Sequence, residues 1–182
     1  PGRSMGTFGE DCATKYSFTR EDQDKFATAS VQRAQAAIKS GAFEAEITPV
    51  TTKGRSGEVL VSIDEGPGKA RLEKIATLKP AFKKDGTITA ASSSSINDGA
   101  AAMVLMKAST AAELGCTPLA RIVAHATHAQ APEWFATAPV GATHKVLAKA
   151  GWSVDDVDLW EVNEAFAVVP MALMTELSIP HE

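Results

Sequence analysis

The feature that most constrains how this chain folds is the stretch D-L-W-E-V-N-E-A-F-A at 158–167, in which two adjacent polar residues, Asn163 and Glu164, separate two largely apolar runs. The apolar residues before the break suit a buried strand: Val157, Leu159 and Val162. From Ala165 onward they recur on one side of a helix: Phe166, Val169, Leu173, Met174 and Leu177. A strand that runs into a helix through a short turn places Asn163 and Glu164 at the carboxyl edge of a sheet, where ligands bind in α/β folds.

Turn chemistry offers a second explanation for the same two polar residues. Asn tolerates unusual backbone angles and caps helices, so a turn alone can account for it. The local pattern therefore leaves open whether Asn163 and Glu164 form a site or only a turn between a strand and a helix.

Composition narrows the classes of protein to which the chain can belong. Of 182 residues, 45% are hydrophobic and 22% are charged, with a net charge of -4, which is typical of a soluble protein. The acidic balance argues against nonspecific nucleic-acid binding, which needs a basic face. A run of eighteen apolar residues, as a membrane span requires, is missing from the sequence. His125 and His128 lack the ligand support of a metal site, so no metal is predicted.

Local signals predict several secondary-structure elements. Thr19 and Asp22 form a capping box for a helix that ends at Gly41, and Ser153 with Asp156 caps a single turn. A hairpin is predicted from strands at 46–52 and 58–63. Two further strands are predicted, one over 100–106 that is buried on both faces and one over 119–127. Three further helices are predicted: one over 70–78, one capped by Thr110 and Glu113 and closed by Gly115, and one over 144–150 stopped by Gly151. The last helix is expected to kink at Pro170 and to have no clear stop before Glu182.

The segment E-V-N-E-A-F-A resembles the Asn-Glu-Ala-Phe signature of thiolases, the enzymes that make and cleave 3-ketoacyl-CoA. Six further blocks follow the pattern of that family in order and spacing: Met5–Ala13, Arg20–Ala27, Leu78–Phe82, Gly86–Ala90, Ile96–Ala102 and Pro118–Val123. Together the blocks cover nearly the whole chain, and an ordered set is far more specific than one motif.

The resemblance implies an α/β protein with the layered αβαβα fold of thiolases, present here as a central and incomplete portion. Residues 1–96 would form the loop domain that covers the CoA. Residues 97–117 would supply the last strand and helix of the N-terminal core half, and 118–182 the start of the C-terminal core half.

The resemblance also implies a function, which is Claisen condensation or thiolytic cleavage of acetoacetyl-CoA or a longer 3-ketoacyl-CoA through a cysteine acyl-enzyme. Thiolase chemistry needs a nucleophilic Cys, a His, a second Cys and oxyanion holes. Of these the resemblance assigns only Asn163, which would hold a water that donates to an oxyanion. Neither Cys12 nor Cys116 has the sequence setting of the family's nucleophile, so residues 1–182 alone are expected to be inactive.

The same resemblance implies which residues contact the substrate. Met5 would form part of the acyl pocket wall, and Phe82 would pack on the CoA. The residues expected along the pantetheine arm and in the pocket are Ala90, Ala91 and Ser94, together with Ala165 and Phe166. Coenzyme A enters as a substrate moiety, and no separate cofactor is implied.

The sequence departs from the family pattern at the adenine-phosphate end of CoA. Ser4 stands where a ligand-contacting His is common, and Pro67 and Lys74 stand where the family has an Arg and a Ser. A cationic cluster of Lys69, Arg71 and Lys74 can attract phosphates instead, or it can be a solvated basic helix without a ligand.

Two readings of function stay open at this point. The first is an acetyl-CoA C-acetyltransferase, expected to be a homodimer or homotetramer in the cytoplasm, or in a mitochondrial or peroxisomal matrix in a eukaryote. The second is a non-catalytic acyl-CoA or lipid-binding module on a thiolase scaffold. The two cysteines lie far apart in sequence, which suits a reducing compartment.

Overall fold

A computed structural model describes residues 2–55 and 57–181. The helices and strands, in chain order, are α1 (Met5–Tyr16), α2 (Arg20–Ser40), β1 (Val50–Gly54), β2 (Gly57–Val61), α3 (Glu65–Lys69), α4 (Ala108–Glu113), α5 (Ala138–Ala150) and α6 (Val168–Leu177). Short 3₁₀ turns lie at Glu44–Glu46, Leu72–Thr77, Pro132–Thr137 and Val154–Asp156.

The core is built around α6, whose residues are apolar on nearly every side. Most of α6 is buried, including Val168, Val169 and Ala172. The main cluster joins these residues to α1, to the 3₁₀ turn at 132–137 and to the segment before the serines: Cys12, Ala13, Ile88, Ala136 and Phe166. A second cluster joins α6 to α2 through Phe26, Ala167 and Met171. A helix that is hydrophobic all round is expected at the centre of such an arrangement.

The bounds of α6 correct two expectations. The helix begins at Val168, so Pro170 lies in its first turn, where backbone N–H groups have no intrahelical partner. The predicted kink therefore has no cause and is wrong. The helix also has a clear stop at Ser178, which adopts a left-handed conformation with a φ of 55°.

Three capping predictions that depend on residues close together in sequence are confirmed. The backbone N–H of Thr19 donates to Asp22 at 2.9 Å, and that of Asp22 donates to Thr19 Oγ1 at 3.1 Å. Ser153 and Asp156 form the same box, and Gly151 ends α5 with a φ of 71°. α5 begins at Ala138, earlier than predicted, because a proline in the first turn is compatible with a helix start.

The predicted hairpin is present, with strands at 50–54 and 57–61 instead of 46–52 and 58–63. β1 and β2 pair antiparallel from Val50 opposite Val61 to Gly54 opposite Gly57. The pairing therefore continues closer to the turn than the predicted strand ends, because Gly54 and Gly57 both take part in the ladder. Ser56, part of the predicted loop, lies outside the described residues.

The three predicted core strands are not strands in this structure. Segments 100–106, 119–127 and 157–162 carry no regular secondary structure, and no other described residues pair with them. Their apolar side chains are accordingly exposed, with Met103 at 80% and Leu159 at 90%. A strand needs a neighbour to satisfy its backbone groups, so an apolar run alone does not produce one.

Two helix predictions need smaller corrections. The segment 70–78 forms a 3₁₀ turn at Leu72–Thr77 instead of the predicted helix, with Ile75 buried and Ala76 exposed. α4 begins at Ala108, with Lys107 at the N-cap position and no side-chain cap, so the Thr110–Glu113 box is wrong because Thr110 already lies within the helix. Gly115 follows α4 with a φ of 67°.

Gly6 in α1 packs directly under the ring of Phe82. A Cβ at this position would lie 2.1 Å from Phe82 Cγ, so Gly6→Ala must displace the ring. We expect the variant to lower the free energy of unfolding by about 1–3 kcal/mol, the usual cost of overpacking, despite the better helix propensity of Ala. Urea denaturation measures this change. In a Phe82→Ala background the clash is absent and Gly6→Ala should be stabilising, and equal losses in both backgrounds would contradict the contact.

Candidate functional site

Backbone hydrogen bonds join the 163–167 turn to the segment 90–95, which we call the serine loop. The N–H of Ser94 donates to the carbonyl of Ala165 at 3.1 Å, and the N–H of Ala167 donates to the carbonyl of Ser92 at 2.9 Å. Between these bonds Ser93 and Phe166 form an antiparallel bridge. Two segments that are far apart in sequence therefore meet and share one short piece of β-structure.

The serine loop is ordered by its own side chains. Thr89 Oγ1 accepts from the N–H groups of Ala91 and Ser92, at 3.2 and 3.4 Å. In return the N–H of Thr89 donates to Ser92 Oγ at 2.9 Å, and Ser93 Oγ donates to the carbonyl of Thr89 at 2.7 Å. Such side-chain to backbone bonds offer Ser and Thr an alternative to helix or sheet. A sequence that suggests a flexible linker thus forms a fixed turn, with Thr89 and Ser92 buried.

A buried carboxylate anchors the start of this loop. Glu10 in α1 is only 5% exposed and accepts from the N–H groups of Thr87 and Ile88, each at 2.9 Å. The hydroxyl of Thr87 is also 3.0 Å from Glu10 Oε2, and Gln23 of α2 donates to that hydroxyl at 2.8 Å. Hydrogen bonds to a charged group are stronger than neutral ones. The serine loop is therefore tied to both long N-terminal helices.

A cavity of about 750 Å³ lies between α2, the segment 64–78, the serine loop and the 163–167 turn. Four of the residues predicted from the family resemblance line it: Ala90, Ala91, Ser94 and Asn163. The basic residues Lys69, Arg71 and Lys74 line it as well, and its apolar surface includes Phe26, Ile75 and Leu78. The volume lies within the usual range for small-molecule sites. The structure thus brings the loop, the turn and the basic cluster to one cavity.

The three basic residues of the cavity differ in their partners. Lys69 forms an ion pair with Glu65 one helical turn away, and this neighbour lowers the pKa of the Glu65 carboxyl below its usual range. Among residues 2–55 and 57–181, neither Arg71 nor Lys74 forms an ion pair. These two side chains are therefore the positive groups best able to receive an anionic ligand.

In the 163–167 turn, the side chain of Glu164 is hydrogen-bonded within the protein, whereas the side chain of Asn163 can receive a ligand. Glu164 Oε2 accepts a hydrogen bond of 2.7 Å from Ser30 Oγ of α2. Asn163 is exposed at the cavity, and within the part of the chain that the structure describes its amide makes no hydrogen bond. An amide offers two N–H donors and one acceptor, so Asn163 can bind a water or a ligand oxygen.

The other predicted site residues lie outside the walls of this cavity. Phe166 is buried in the main core cluster and makes edge contacts with Phe82 at 5.7 Å and Phe135 at 6.1 Å between ring centroids. Met5 is 52% exposed at the start of α1, and Ala165 is half-buried beside the core. Phe82, Phe135 and Phe166 form an aromatic group, which anchors the 163–167 turn at Phe166.

Sequence reasoning missed two residues at this site. Ser30 lies four residues after Phe26 on α2, and this spacing was the signal that it faces inward. Phe135 follows Trp134 in an isolated aromatic pair between two prolines, which is an unusual placement for a solvent-exposed loop.

Both cysteines lie away from the cavity walls. Cys12 is fully buried, and this burial raises the pKa of its thiol to about 11, although Lys15 opposes the shift. A thiol with such a pKa stays protonated near neutral pH and is a poor nucleophile. Cys116 is exposed beyond α4. Across 2–55 and 57–181, His, Cys, Asp and Glu form no group of three or more that could hold a metal ion.

The helices of the described segments were also compared with the requirements of a membrane span. None of them combines the necessary length with sufficient apolar character.

Comparisons with known proteins agree with one another. The model of the thiolase N-terminal domain matches residues 2–109, and that of the thiolase C-terminal domain matches 116–182. A probable acetyl-CoA acetyltransferase of Dictyostelium discoideum is 50% identical over 99% of this chain and 44% of its own length. An acetyl-CoA acetyltransferase of Paracoccus denitrificans is 48% identical over 95% of this chain and 44% of its own length.

Solved structures show the same similarity in three dimensions. The crystal structure of the Bacillus anthracis acetyl-CoA acetyltransferase superposes with a TM-score of 0.95 at 44% identity, over 99% of this chain and 46% of that one. The Syntrophomonas wolfei acetyl-CoA acetyltransferase superposes with a TM-score of 0.86 at 39% identity. The chain therefore spans less than half the length of the relatives named here, and its mixture of helices and strands is an incomplete α/β fold.

Proposed function

The chain belongs to the thiolase family, and from that premise we propose that its cavity binds the CoA moiety of an acyl-CoA in an acetyl-CoA acetyltransferase. The observation that carries the proposal is the convergence of Asn163, the serine loop and the cationic pair Arg71 and Lys74 on one cavity of about 750 Å³. A CoA molecule needs a positive region for its phosphates and a narrow polar groove for its amide-bearing arm. The cavity offers both.

The serine loop supplies the groove for the pantetheine arm in this proposal. Ala90, Ala91 and Ser94 line the cavity with small side chains, which lets a ligand approach the backbone closely. Phe82 packs on the CoA where its ring is partly exposed, and Met5 forms an outer part of the acyl pocket. Ala165 and Phe166 shape the end of that pocket beside the turn.

The reaction in the condensing direction forms a carbon–carbon bond between two acetyl groups. An acyl-enzyme thioester is attacked by the enolate carbon of acetyl-CoA, and the cysteine thiolate leaves with the electron pair of the C–S bond. Asn163 orients a water through its amide, and that water donates to the oxygen on which negative charge develops. A preorganised donor stabilises the transition state more than the ground state, because it meets the charge only as it forms.

The nucleophilic Cys, the His and the second Cys are contributed, in our proposal, by other parts of the full-length protein. Cys12 is buried and Cys116 is exposed away from the cavity, so neither is placed to accept an acyl group. Residues 1–182 alone should then bind CoA without turnover. In this proposal, residues 1–96 form the portion that covers the CoA. Residues 97–117 form the end of the N-terminal core half, and residues 118–182 form the start of the C-terminal core half.

The decisive experiment assays the full-length protein for thiolysis of acetoacetyl-CoA by CoA, with CoA binding to the 182-residue chain measured by calorimetry in parallel. Turnover by the full-length protein supports the acyltransferase. CoA binding without turnover by any form supports the second candidate, a non-catalytic acyl-CoA or lipid-binding module, which the placement of both cysteines away from the cavity favours. Absence of both activities contradicts the proposal.

The cationic pair should determine the preference for the phosphorylated nucleotide end of CoA. We expect Arg71→Ala combined with Lys74→Ala to raise the KM for acetyl-CoA about tenfold and to leave the KM for its 3′-dephospho form within about twofold, because the phosphate loses its partners. Steady-state kinetics with both substrates measures the difference.

Lys69→Ala is the matched control, since its ammonium is already paired with Glu65. It should change the KM less than twofold, because Glu65 already neutralises the charge of its ammonium. An equal rise for both substrates in the double variant would show that the pair does not contact the phosphate.

Assembly and location complete the proposal. We expect a homodimer or homotetramer that functions in the cytoplasm, or in a mitochondrial or peroxisomal matrix in a eukaryote, in the metabolism of fatty acids. The oligomer can be measured by light scattering on the full-length protein.

A further inference from the structure

We infer that Ser30 of α2 is a positioning residue for Asn163, acting through Glu164; the inference rests on the proposed function. The main support is a single contact, the hydrogen bond of 2.7 Å that Ser30 Oγ donates to Glu164 Oε2. It joins residues 134 positions apart, and all three residues line the same cavity.

The two residues that follow Asn163 in sequence are held by hydrogen bonds to other parts of the chain. The carbonyl of Ala165 accepts from the N–H of Ser94, and the side chain of Glu164 accepts from Ser30. Asn163 is the first residue before these two attachments, and its own amide has no partner among residues 2–55 and 57–181. Its direction is therefore set by Glu164 and the residues that hold Glu164 in place.

The donor of this contact sits on a rigid element. α2 has a complete capping box at Thr19 and Asp22, and Phe26 and Ala27, one turn before Ser30, are buried. A hydroxyl on such a helix is fixed in position, because its backbone cannot move without breaking the packing of that turn. Ser30 thereby transmits the position of α2 to the turn that bears Asn163.

Stability alone does not explain the contact. Glu164 is exposed, so water can replace the Ser30 hydroxyl as a donor at little cost in folding free energy. Water is not attached to α2, however, and cannot hold Glu164 in one orientation. Loss of the hydroxyl should therefore reduce catalysis more than stability, which is the property of a positioning residue.

The test compares variants of the full-length protein in thiolysis of acetoacetyl-CoA. Ser30→Ala should lower kcat about tenfold, the factor expected for a displaced polar contact, and leave the KM for CoA and the thermal midpoint nearly unchanged. Ser30→Thr keeps the hydroxyl and should restore kcat. Ser40→Ala is the matched control on the same helix, since its hydroxyl donates only to the carbonyl of Ala37, and it should leave kcat unaltered.

A double-mutant comparison assigns the effect to Glu164. In a Glu164→Ala background, Ser30→Ala should have no further effect on kcat, because the contact is already lost. Full additivity would overturn the inference. So would an unchanged kcat in Ser30→Ala, or a rise in KM with kcat unaltered, which would show that Ser30 contacts the ligand instead.

A structural readout separates this inference from the proposed function. If the unmodified protein shows no turnover, the acyltransferase proposal fails, and crystal structures of Ser30→Ala and Ser40→Ala decide the positioning role alone. Asn163 should move or adopt several orientations in Ser30→Ala only. An Asn163 that stays in place in both structures would overturn the inference.

Discussion

Replacing Asn163 with alanine should lower the kcat of the full-length protein by about 10²–10³ and leave the KM for acetyl-CoA within about twofold. The magnitude is that of a lost oxyanion donor in other acyl-transfer enzymes. The Asn163 amide is exposed at the cavity wall, and its N–H groups donate to none of the described protein groups. Its contribution should therefore appear only when charge develops in the transition state, which lowers kcat without weakening substrate binding.

Steady-state kinetics in both reaction directions measures the effect of Asn163→Ala. Asn97→Ala is the matched control, because Asn97 also lines the cavity and its amide already donates to Ser95 Oγ at 2.7 Å. That variant should change kcat less than threefold, since its amide is engaged elsewhere. A rise in KM with kcat unchanged in Asn163→Ala would instead assign Asn163 to substrate binding.

Replacing Glu10 with alanine should lower the free energy of unfolding by about 2–6 kcal/mol, because it leaves two N–H groups without an acceptor at a cost of about 1–3 kcal/mol each. The substitution removes the acceptor of the N–H groups of Thr87 and Ile88 and of the Thr87 hydroxyl. It also leaves a void beside Gly86, whose backbone packs against the carboxylate. The serine loop should loosen together with its anchor.

Urea denaturation followed by circular dichroism measures the loss in Glu10→Ala. Asp11→Ala is the matched control, because Asp11 is the next residue of α1 and forms an exposed ion pair of 2.5 Å with Arg3. The control should cost less than about 1 kcal/mol, since exposed ion pairs contribute little. An equal loss of unfolding free energy in the two variants would show that the contacts of Glu10 stabilise the fold no more than an exposed ion pair does.

Features set by neighbours in sequence could be predicted from the sequence. The Thr19–Asp22 and Ser153–Asp156 boxes depend on two side chains three residues apart, and the stop at Gly151 depends on one glycine. Pro170 shows the limit of such reasoning. A proline breaks or starts a helix according to where the helix begins, and here backbone bonds from 165–167 to the serine loop come just before the start at Val168.

Features set by distant residues could not be predicted in this way. The apolar segments 100–106 and 119–127 have the composition of buried strands, yet strand formation depends on a neighbour that local periodicity does not reveal. The contacts of Glu10 with Thr87 and of Ser30 with Glu164 also cross long stretches of chain. Family resemblance placed Ala90, Ala91, Ser94 and Asn163 together, and they do line one cavity.

The bridge between Ser93 and Phe166 has a consequence for synthesis of the protein. On a ribosome the serines emerge about seventy residues ahead of their partner, a delay of several seconds at about 5–20 residues per second. During that interval the nascent loop is shaped by its ties to Glu10 and Gln23 and by its own hydroxyls. The cavity wall is thus completed only when translation has passed Ala167, so a stalled or truncated product that ends earlier would lack it.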